Sequence, residues 1–165
     1  MYMIRLEKFT ENNIPDLLSE LKEYDIRFLY QFGGINYQFP LDYLQIKQTM
    51  DNKLNLLFNV VNDENKSIGH CQIIRLDQAN KKASIGRLLI YEQYRAKGFG
   101  KLMIKKLLEF AKSIGLQNIS LRVFDFNNSA IKCYEAIGFE KTIEEYIDIP
   151  SLKEKWKIIS MEIEI

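Results

Sequence analysis

The segment from residue 85 to residue 111 constrains the fold most, because in it an apolar run passes through two closely spaced glycines into a helical stripe. The part up to residue 91 is aliphatic and β-branched, as a buried strand requires. After Gly98 and Gly100 the apolar residues recur at helical spacing until Gly115 ends the pattern. The stripe consists of Met103, Leu107, Phe110, Ala111 and Ile114. The segment therefore predicts a strand that turns directly into a helix, a unit of α/β sheets.

The rest of the chain places this unit in a larger sheet. Three apolar runs, at residues 54–63, 67–77 and 83–91, are separated by short polar turns and predict an antiparallel meander. A strand and several helices precede them, and a strand, a shorter helix and two further strands follow the long helix. The sequence thus predicts one α/β domain over residues 1–165, with a mixed, mainly antiparallel sheet of about six to seven strands flanked by helices.

Composition excludes several classes of function. The chain is 47% hydrophobic and 27% charged with a net charge of +1, so no overall field attracts nucleic acid or a membrane. Cys71 and Cys133 form no CxxC motif and His70 is the only histidine, which argues against a disulfide framework and a Cys/His zinc site. The N-terminus is charged from Arg5, and no apolar run approaches the ~20 residues that span a bilayer. We expect a cytoplasmic protein without metal, nucleic-acid partner or membrane.

The turn between the strand and the helix, Arg95-Ala96-Lys97-Gly98-Phe99-Gly100-Lys101, has the features of an anion cradle. Two glycines allow a ligand to approach the backbone, and the first helical N–H groups have no partner of their own. The helix dipole adds about 0.3–1 kcal/mol for an anion at an exposed site. Arg95, Lys97 and Lys101 supply mobile positive charge around the same turn. The pattern predicts a phosphate or pyrophosphate ligand.

Two common phosphate-binding motifs do not fit this turn. A Rossmann fingerprint requires a third glycine at the position of Met103, and a parallel βαβ unit at the start of the fold. A P-loop requires the sequence GK[ST], which is absent. The Arg-x-x-Gly-x-Gly pattern therefore belongs to another kind of site.

The sequence resembles the GNAT N-acetyltransferase superfamily in two motifs. The turn at residues 95–100 is similar to the acetyl-CoA-binding motif Q/R-x-x-G-x-G/A, which lies at a strand-to-helix junction. Residues 126–141, FNNSAIKCYEAIGFEK, resemble the second motif of the family, with an Asn, a helix containing Tyr, and then Gly-Phe. Order and spacing agree from about Leu54 to Lys141, whereas the N-terminal helices agree only in placement. The resemblance implies a GNAT-like fold and an acyltransferase.

The resemblance also implies a set of functional residues. The backbone N–H of Ile90 would be the oxyanion donor, and Tyr134 the general acid that protonates the departing CoA thiolate. The acetyl group would pass from acetyl-CoA to a primary amine by direct attack in a ternary complex. The implied contacts of acetyl-CoA are Leu88, Leu89, Ile90, Arg95, Ala96, Lys97, Gly98, Phe99, Gly100, Lys101 and Asn127.

Some of these positions have structural alternatives. Tyr134 shares a helix face with apolar residues, so it also fits a core position. Asn127 and Asn128 fit helix caps. Some family members carry a catalytic Glu where this chain has Ser84 and Arg122, so a CoA-binding domain with another acyl donor, or with a regulatory role, stays an alternative.

The general base is not assigned by the resemblance. Candidates are His70, Glu92, Asp125 and Asp25, each of which also fits a structural or solvated role, and an ordered water chain is a further alternative. Cys133 has no histidine near it in sequence and is expected to be an inert thiol rather than an acyl carrier.

The acceptor is indicated only by class. Aromatic residues around Gly33 and Gly34 predict either an aromatic wall or mobile lid over the acceptor, or ordinary core. They are Phe28, Tyr30, Phe32, Tyr37 and Phe39. Acids at positions 140, 144, 145 and 148 favour a polyamine or aminoglycoside-like amine if they line the cleft; a peptide or protein amine stays open. Exposed strand edges near the C-terminus suggest a homodimer.

Overall fold

A computed structural model describes all 165 residues and contains a seven-stranded sheet. The strand order is β1-β2-β3-β4-β5-β7-β6, and every neighbouring pair is antiparallel except β4 and β5, which are parallel. The predicted α/β fold with a mixed, mainly antiparallel sheet is thereby confirmed. The strands are β1 Ile4–Lys8, β2 Leu56–Asn62, β3 Ser67–Asp77, β4 Lys82–Ile90, β5 Asn118–Phe124, β6 Glu140–Ile149 and β7 Glu154–Glu164.

Five α-helices flank the sheet, and local sequence explains where several of them begin and end. Asp25 and Asp42 accept hydrogen bonds from backbone N–H groups of α2 and α3 at 3.0 and 2.9 Å, as N-caps do. The helix α4 ends at Gly115, whose φ of +88° suits a glycine. The helices are α1 Ile14–Leu21, α2 Ile26–Gly33, α3 Tyr43–Asp51, α4 Phe99–Ser113 and α5 Asn128–Ile137.

The two faces of the sheet are covered by different helices. Phe58 and Ile90 pack in a core of 24 buried residues that includes α4 and α5. Their strand neighbours Leu57 and Leu89 pack instead with α1, α2 and α3 in a second core of 11 buried residues. Because successive residues of a strand point to opposite faces, α1–α3 cover one face and α4–α5 the other. A gap between two strands of the sheet would therefore be open to the helices on both faces.

The strand β6 forms one edge of the sheet and exposes most of its residues. Ile143 and Tyr146 on this strand are 60% and 67% exposed. The homodimer suggested by the sequence stays a prediction. None of the helices is long and apolar enough to cross a membrane.

Candidate functional site

The candidate site begins where β4 and β5 stop pairing. Their parallel ladder covers only residues 82–84 and 118–120. Beyond it, β4 carries a β-bulge, in which Arg87 and Leu88 lie opposite the single residue Cys71 of β3. The φ of Arg87 is +50°, the left-handed conformation that non-glycine residues rarely adopt. Since a bulge bends the strand that contains it, β4 runs on to its end unpaired with β5.

A cavity of about 510 Å³ lies at this gap. Of the residues that the sequence singled out for acetyl-CoA or catalysis, it brings together Leu88, Asn127 and Tyr134. The residues at the end of β4 and at the start of α4 lie outside its lining. The lining comprises residues 30–36, Ile74, Arg75, residues 84–88, residues 121–124, Asn127, Tyr134, Ile147, Asp148 and Ile158.

The backbone of Ile90 faces the gap. Tyr91 N–H donates to the Ile68 carbonyl at 2.9 Å, and Ile90 lies opposite Gly69. In an antiparallel ladder this arrangement makes Ile90 and Gly69 a non-hydrogen-bonded pair, so Ile90 N–H points away from β3 and toward β5. The side chain of Arg95 donates from Nε to the Ile90 carbonyl at 2.8 Å. The end of β4 thus offers a backbone N–H to the gap and is held in place from its carbonyl side.

The turn before α4 has the geometry of an anion cradle. Ala96 and Gly98 have φ of +58° and +83°, a turn that directs successive N–H groups to one side. The first helical bond of α4 runs from Leu102 N–H to the Gly98 carbonyl at 3.3 Å, which leaves the three preceding N–H groups free. A Cβ built on Gly98 or on Gly100 meets no atom within 4 Å. Both glycines therefore border open space in front of free N–H groups.

The three cations around this turn differ in their surroundings. The Arg95 guanidinium is not mobile, because besides the Ile90 carbonyl it donates to the Tyr24 hydroxyl at 2.6 Å. Lys97 donates to the Gln93 carbonyl at 3.2 Å. Lys101 makes no hydrogen bond or ion pair and lies near enough to Cys133 on α5 to act on the pKa of its thiol. Lys101 is thus the cation best placed to meet a ligand.

Phe99, also among the implied contacts, packs inward. Its side chain is 4% exposed and lies 5.0 Å from the Tyr2 ring and 6.5 Å from the Tyr94 ring, centroid to centroid. Its side chain anchors the first turn of α4, so only its backbone N–H is available to a ligand.

Tyr134 and Asn127 lie on the opposite wall of the cavity, at α5. The Tyr134 ring is fixed edge-on to Phe139 at 5.9 Å, and its hydroxyl has no hydrogen-bond partner in the protein. Burial raises the pKa of Tyr134 above its usual value, and the Cys133 thiol adds to the shift, so the phenol stays protonated. Asn127 accepts a long hydrogen bond from Ala130 N–H at 3.4 Å, so it does cap α5, while its amide nitrogen stays free. Tyr134 is buried, yet its hydroxyl is not used by the core.

A buried polar network that the sequence did not indicate extends from β3 to the cavity. Arg87 is 9% exposed and donates from Nη1 to Gln72 Oε1 at 2.6 Å. The Gln72 amide nitrogen in turn donates to His70 Nε2 at 2.8 Å, so that ring carries its proton on Nδ1. Burial and the nearby Arg87 lower the pKa of His70 to about 3, which keeps it neutral. The only sequence signal was a charge within the apolar run of β4.

None of the four candidate bases lines the cavity. His70 is fully buried on β3. Asp25 caps α2, while Glu92 and Asp125 are exposed in the turns after β4 and β5. The one carboxylate in the lining belongs to Asp148 of β6, whose side chain is 79% exposed. No group of three His, Cys, Asp or Glu residues is placed to hold a metal ion.

The acids of β6 are mostly paired with cations. Glu144 lies 2.5 Å from Lys157, Glu145 forms an ion pair with Arg122, and Asp148 lies 3.8 Å from Lys155. They do not form an acidic cleft as a group, which removes the argument for a polyamine that rested on them.

The aromatic residues around Gly33 divide between the two predicted roles. Tyr30 and Phe32 line the cavity, Tyr37 is buried core, and Phe39 is exposed. A Cβ on Gly33 would lie 2.3 Å from the Tyr37 ring, so the glycine allows that ring to pack closely against α2.

The residues present fit a CoA thioester. Free N–H groups and open space over two glycines suit a pyrophosphate at residues 96–101, and Lys101 supplies a free cation. The unpaired edge of β4 at Leu88 and Ile90 suits an extended, amide-containing arm, because it can add hydrogen bonds as a neighbouring strand would. Cradle, strand edge and Tyr134 thus follow one another around the gap.

Comparison with known proteins identifies the family. The model of the Acetyltransferase (GNAT) family matches residues 18–139. This chain belongs to that family, as its fold and the order of its two motifs lead one to expect.

Relatives of known name share part of the chain. This chain is 43% identical over 53 residues to the uncharacterized N-acetyltransferase YycN of Bacillus subtilis, and the matched segment covers 32% of this chain and 34% of that protein. It is 28% identical over 125 residues to the [ribosomal protein bS18]-alanine N-acetyltransferase of Haemophilus influenzae, which covers 76% of this chain and 82% of that one. The matches to the first relatives span about a third to three fifths of their length.

Solved structures agree in fold. A spermidine N-acetyltransferase from Vibrio cholerae, determined with CoA and spermine, superposes with a TM-score of 0.81 over 98% of this chain and 95% of that one. The identity is 16%, so this likeness shows the fold alone.

Proposed function

We propose that this protein transfers an acetyl group from acetyl-CoA to a primary amine by direct attack within a ternary complex. The observation that carries the proposal is the hydroxyl of the buried Tyr134, which is protonated, has no protein partner and lies in the cavity beside the unpaired end of β4. A core tyrosine normally satisfies its hydroxyl within the protein. This one is free for a ligand, at the place where the family requires an acid.

The donor binds along the gap. Residues 96–101 hold the pyrophosphate through free N–H groups and Lys101, while Leu88 and Ile90 carry the strand edge against which the extended arm lies. The carbonyl of Leu89, between them, lies against Gly69 of β3 and does not face the arm. Asn127 faces the same space with its free amide nitrogen. The thioester carbonyl then lies at the end of β4, where Ile90 N–H stabilises the charge that develops on its oxygen. Removing one such donor typically costs about 10²–10³-fold in rate.

The reaction balances with one proton acceptor and one donor. The neutral amine nitrogen forms the C–N bond, the C–S bond breaks, and the departing thiolate takes a proton from the Tyr134 hydroxyl. Because a phenol is a weaker acid than a thiol, the tyrosinate left by this transfer regains a proton from water at once. The proton lost by the amine passes to water in the cavity, since none of the four candidate bases lines it.

Cys133 has no part in this reaction. Burial raises the pKa of its thiol, with a smaller opposing effect of Lys101, so the thiolate that a covalent acyl carrier requires is disfavoured. Direct transfer is therefore the simpler route.

One observation favours a second candidate function. Ser84 and Arg122, which stand where some family members carry a catalytic Glu, both line the cavity. A CoA-binding domain that uses another acyl donor, or that regulates without turnover, would retain the cradle and lack the base.

The test is titration calorimetry with acetyl-CoA, followed by a panel of amines read by thiol release. Binding of acetyl-CoA together with amine-dependent release of CoA is the expected result. Binding of CoA without release by any amine would favour the regulatory role, and release only with longer acyl donors would favour another thioester. Absence of binding by any CoA compound would refute the cradle.

A further inference from the structure

Arg87 is a buried cation without an anionic partner. It is 91% buried, since 9% of its surface is exposed, and no carboxylate forms an ion pair with it. Its compensation within the protein is one hydrogen bond to Gln72 and the face of the Tyr37 ring, 4.8 Å from its guanidinium carbon. Burying an unpaired charge costs several kcal/mol, which makes the arrangement expensive for the fold alone.

The free part of this guanidinium has the geometry of an anion receptor. Nη1 is occupied by Gln72, whereas Nε is buried with no hydrogen-bond partner and Nη2 donates to no protein atom. Nε and Nη2 form the edge that holds a carboxylate or phosphate with two parallel hydrogen bonds. Arg87 lines the cavity, and since Nε is closed off by protein atoms, Nη2 is the free nitrogen that borders the space that a bound molecule would fill.

The position of Arg87 is held from three sides. The β-bulge and its left-handed φ direct the residue out of the ladder. Gln72, itself fixed by His70, holds Nη1, and the Tyr37 ring, packed on Gly33, covers one face. Left-handed backbone is unfavourable at a non-glycine residue, so the surroundings stabilise a conformation that Arg87 would not adopt by itself.

The charge of the cavity has the same sign. Arg75 also lines it, has no ion-pair partner, and lies near enough to lower the pKa of Arg87, although burial contributes more. Arg122 lines it as well but is paired with Glu145. Asp148, the only acid of the lining, lies 3.8 Å from Lys155. Such a cavity repels a polycation and attracts an anion.

We infer that the amine acceptor carries an anionic group, a carboxylate or a phosphate, and that the guanidinium of Arg87 binds this group through Nη2. The inference rests on the proposed amine acetylation. Arg87 and Ile90 are three residues apart on one strand, so their Cα atoms lie within about 10 Å of each other, a separation that a small amine with an anionic group can bridge. Much of the rest of the lining is aliphatic or aromatic and includes Ile85 and Phe32. It suits an acceptor with an apolar part between its anionic group and its amine.

The test compares amines that differ only in the anionic group. Phenylalanine, phenylalaninamide and 2-phenylethylamine share one apolar body; O-phosphoethanolamine and ethanolamine form the phosphate pair, and spermidine is the polycation. With saturating acetyl-CoA, thiol release should give a kcat/KM at least about 30-fold higher for an anionic amine than for its neutral partner. This factor is the lower end of the cost of removing one partner of a buried charge pair. The pair that shows the preference distinguishes carboxylate from phosphate.

Two variants connect the preference to Arg87. In Arg87→Gln the ratio should fall to near one through KM, with acetyl-CoA affinity unchanged, and in Arg87→Lys it should fall partly because the fork is lost. Arg122→Gln, which removes a cation of the same cavity that already has a partner, should keep the ratio. If Arg87→Gln does not fold, calorimetry of wild-type protein loaded with CoA still decides, since N-acetylphenylalanine should bind and N-acetylphenylalaninamide should not.

The outcomes separate the inference from the proposed function. Amine acetylation without anionic preference, best turnover of spermidine, or an equal loss for all amines in Arg87→Gln would overturn the inference and leave the proposed function intact. If acetyl-CoA binds but no amine is acetylated, the proposed function fails. Calorimetry of the two N-acetylated compounds, and of O-phosphoethanolamine against ethanolamine, then decides the anion site alone: preference for either anionic compound supports it, and equal or absent binding within both pairs refutes it.

Discussion

Three glycines of this chain allow the cradle to be tested apart from stability. Gly98, Gly100 and Gly115 all leave the space of a Cβ empty, with no atom within 4 Å. Gly98 and Gly115, at the two ends of α4, have φ of +83° and +88°, whereas Gly100 lies inside the helix without a positive φ. Alanine at Gly98 therefore strains the backbone and also blocks the space in front of the free N–H groups. Alanine at Gly100 only blocks that space, and alanine at Gly115 only strains the backbone.

The magnitudes follow from these conformations. A left-handed alanine costs about 1–2 kcal/mol, and 1 kcal/mol shifts Tm by about 2–4 °C in a domain of this size. Gly98→Ala and Gly115→Ala should thus each lower Tm by about 2–8 °C. Gly100→Ala should leave Tm unchanged or raise it slightly, because alanine is the better helix former. A methyl group over the free N–H groups, at Gly98 or at Gly100, should weaken acetyl-CoA binding by more than about tenfold.

The assay is thermal unfolding combined with calorimetric titration of acetyl-CoA for all three variants. Gly115→Ala is the matched control, since it should lose stability and keep the affinity of the wild type. The reasoning is refuted if Gly98→Ala and Gly100→Ala bind acetyl-CoA as tightly as Gly115→Ala does. The phosphates would then lie elsewhere, whatever the changes in Tm.

Three further substitutions test the remaining parts of the site. Tyr134→Phe should lower kcat by about 10²-fold or more, while acetyl-CoA affinity stays near that of the wild type. The control is Tyr91→Phe, which changes a buried tyrosine outside the cavity and should alter neither quantity. An unchanged kcat in Tyr134→Phe would exclude the acid role. Folding lowers the pKa of His70 from 6.5 to about 3. Below pH 6.5 the unfolded chain therefore binds a proton that the folded chain does not bind. This proton uptake should make the free energy of unfolding about 2 kcal/mol lower at pH 5 than at pH 8. In His70→Gln, denaturant unfolding should show a smaller loss of stability between pH 8 and pH 5, by that amount. Equal losses in the wild type and the variant would contradict a neutral buried imidazole. Asp148→Asn should leave turnover of an anionic amine unchanged or increase it, and a large loss measured by thiol release would instead indicate that this acid binds a cationic acceptor.

Features written in short stretches of sequence could be predicted. The strand that turns into α4, the stop at Gly115 and the cap at Asp42 each depend on residues within a few positions of one another. The meander was predictable because three apolar runs with short turns leave antiparallel pairing as the simplest connection. Tyr134 was placed by helical spacing toward the sheet, and it is buried there.

The features that the sequence did not indicate depend on long-range contacts. The β-bulge at Arg87 arises from the register between β3 and β4, and residue composition does not specify that register. The bond from Arg87 to Gln72 joins residues 15 positions apart, and the contact to Tyr37 joins residues 50 apart. The mobile charge expected of Arg95 is instead held by hydrogen bonds for the same reason, since its partner Tyr24 lies 71 residues earlier, in the turn between α1 and α2.

Donor and acceptor recognition rest on different parts of the chain, and this decides how far likeness to other proteins extends. The donor side is built mainly from backbone: a bulge, a left-handed turn, a helix N-terminus and an unpaired strand edge. Such features depend on the fold, and the fold is what this chain shares with a solved structure of only 16% identity. The acceptor side is built from side chains, above all Arg87 and Asp148, which can change without altering the fold. Likeness in fold therefore says little about the acceptor, whereas the buried guanidinium of Arg87, which has no counter-ion in the protein, favours an acceptor of opposite charge.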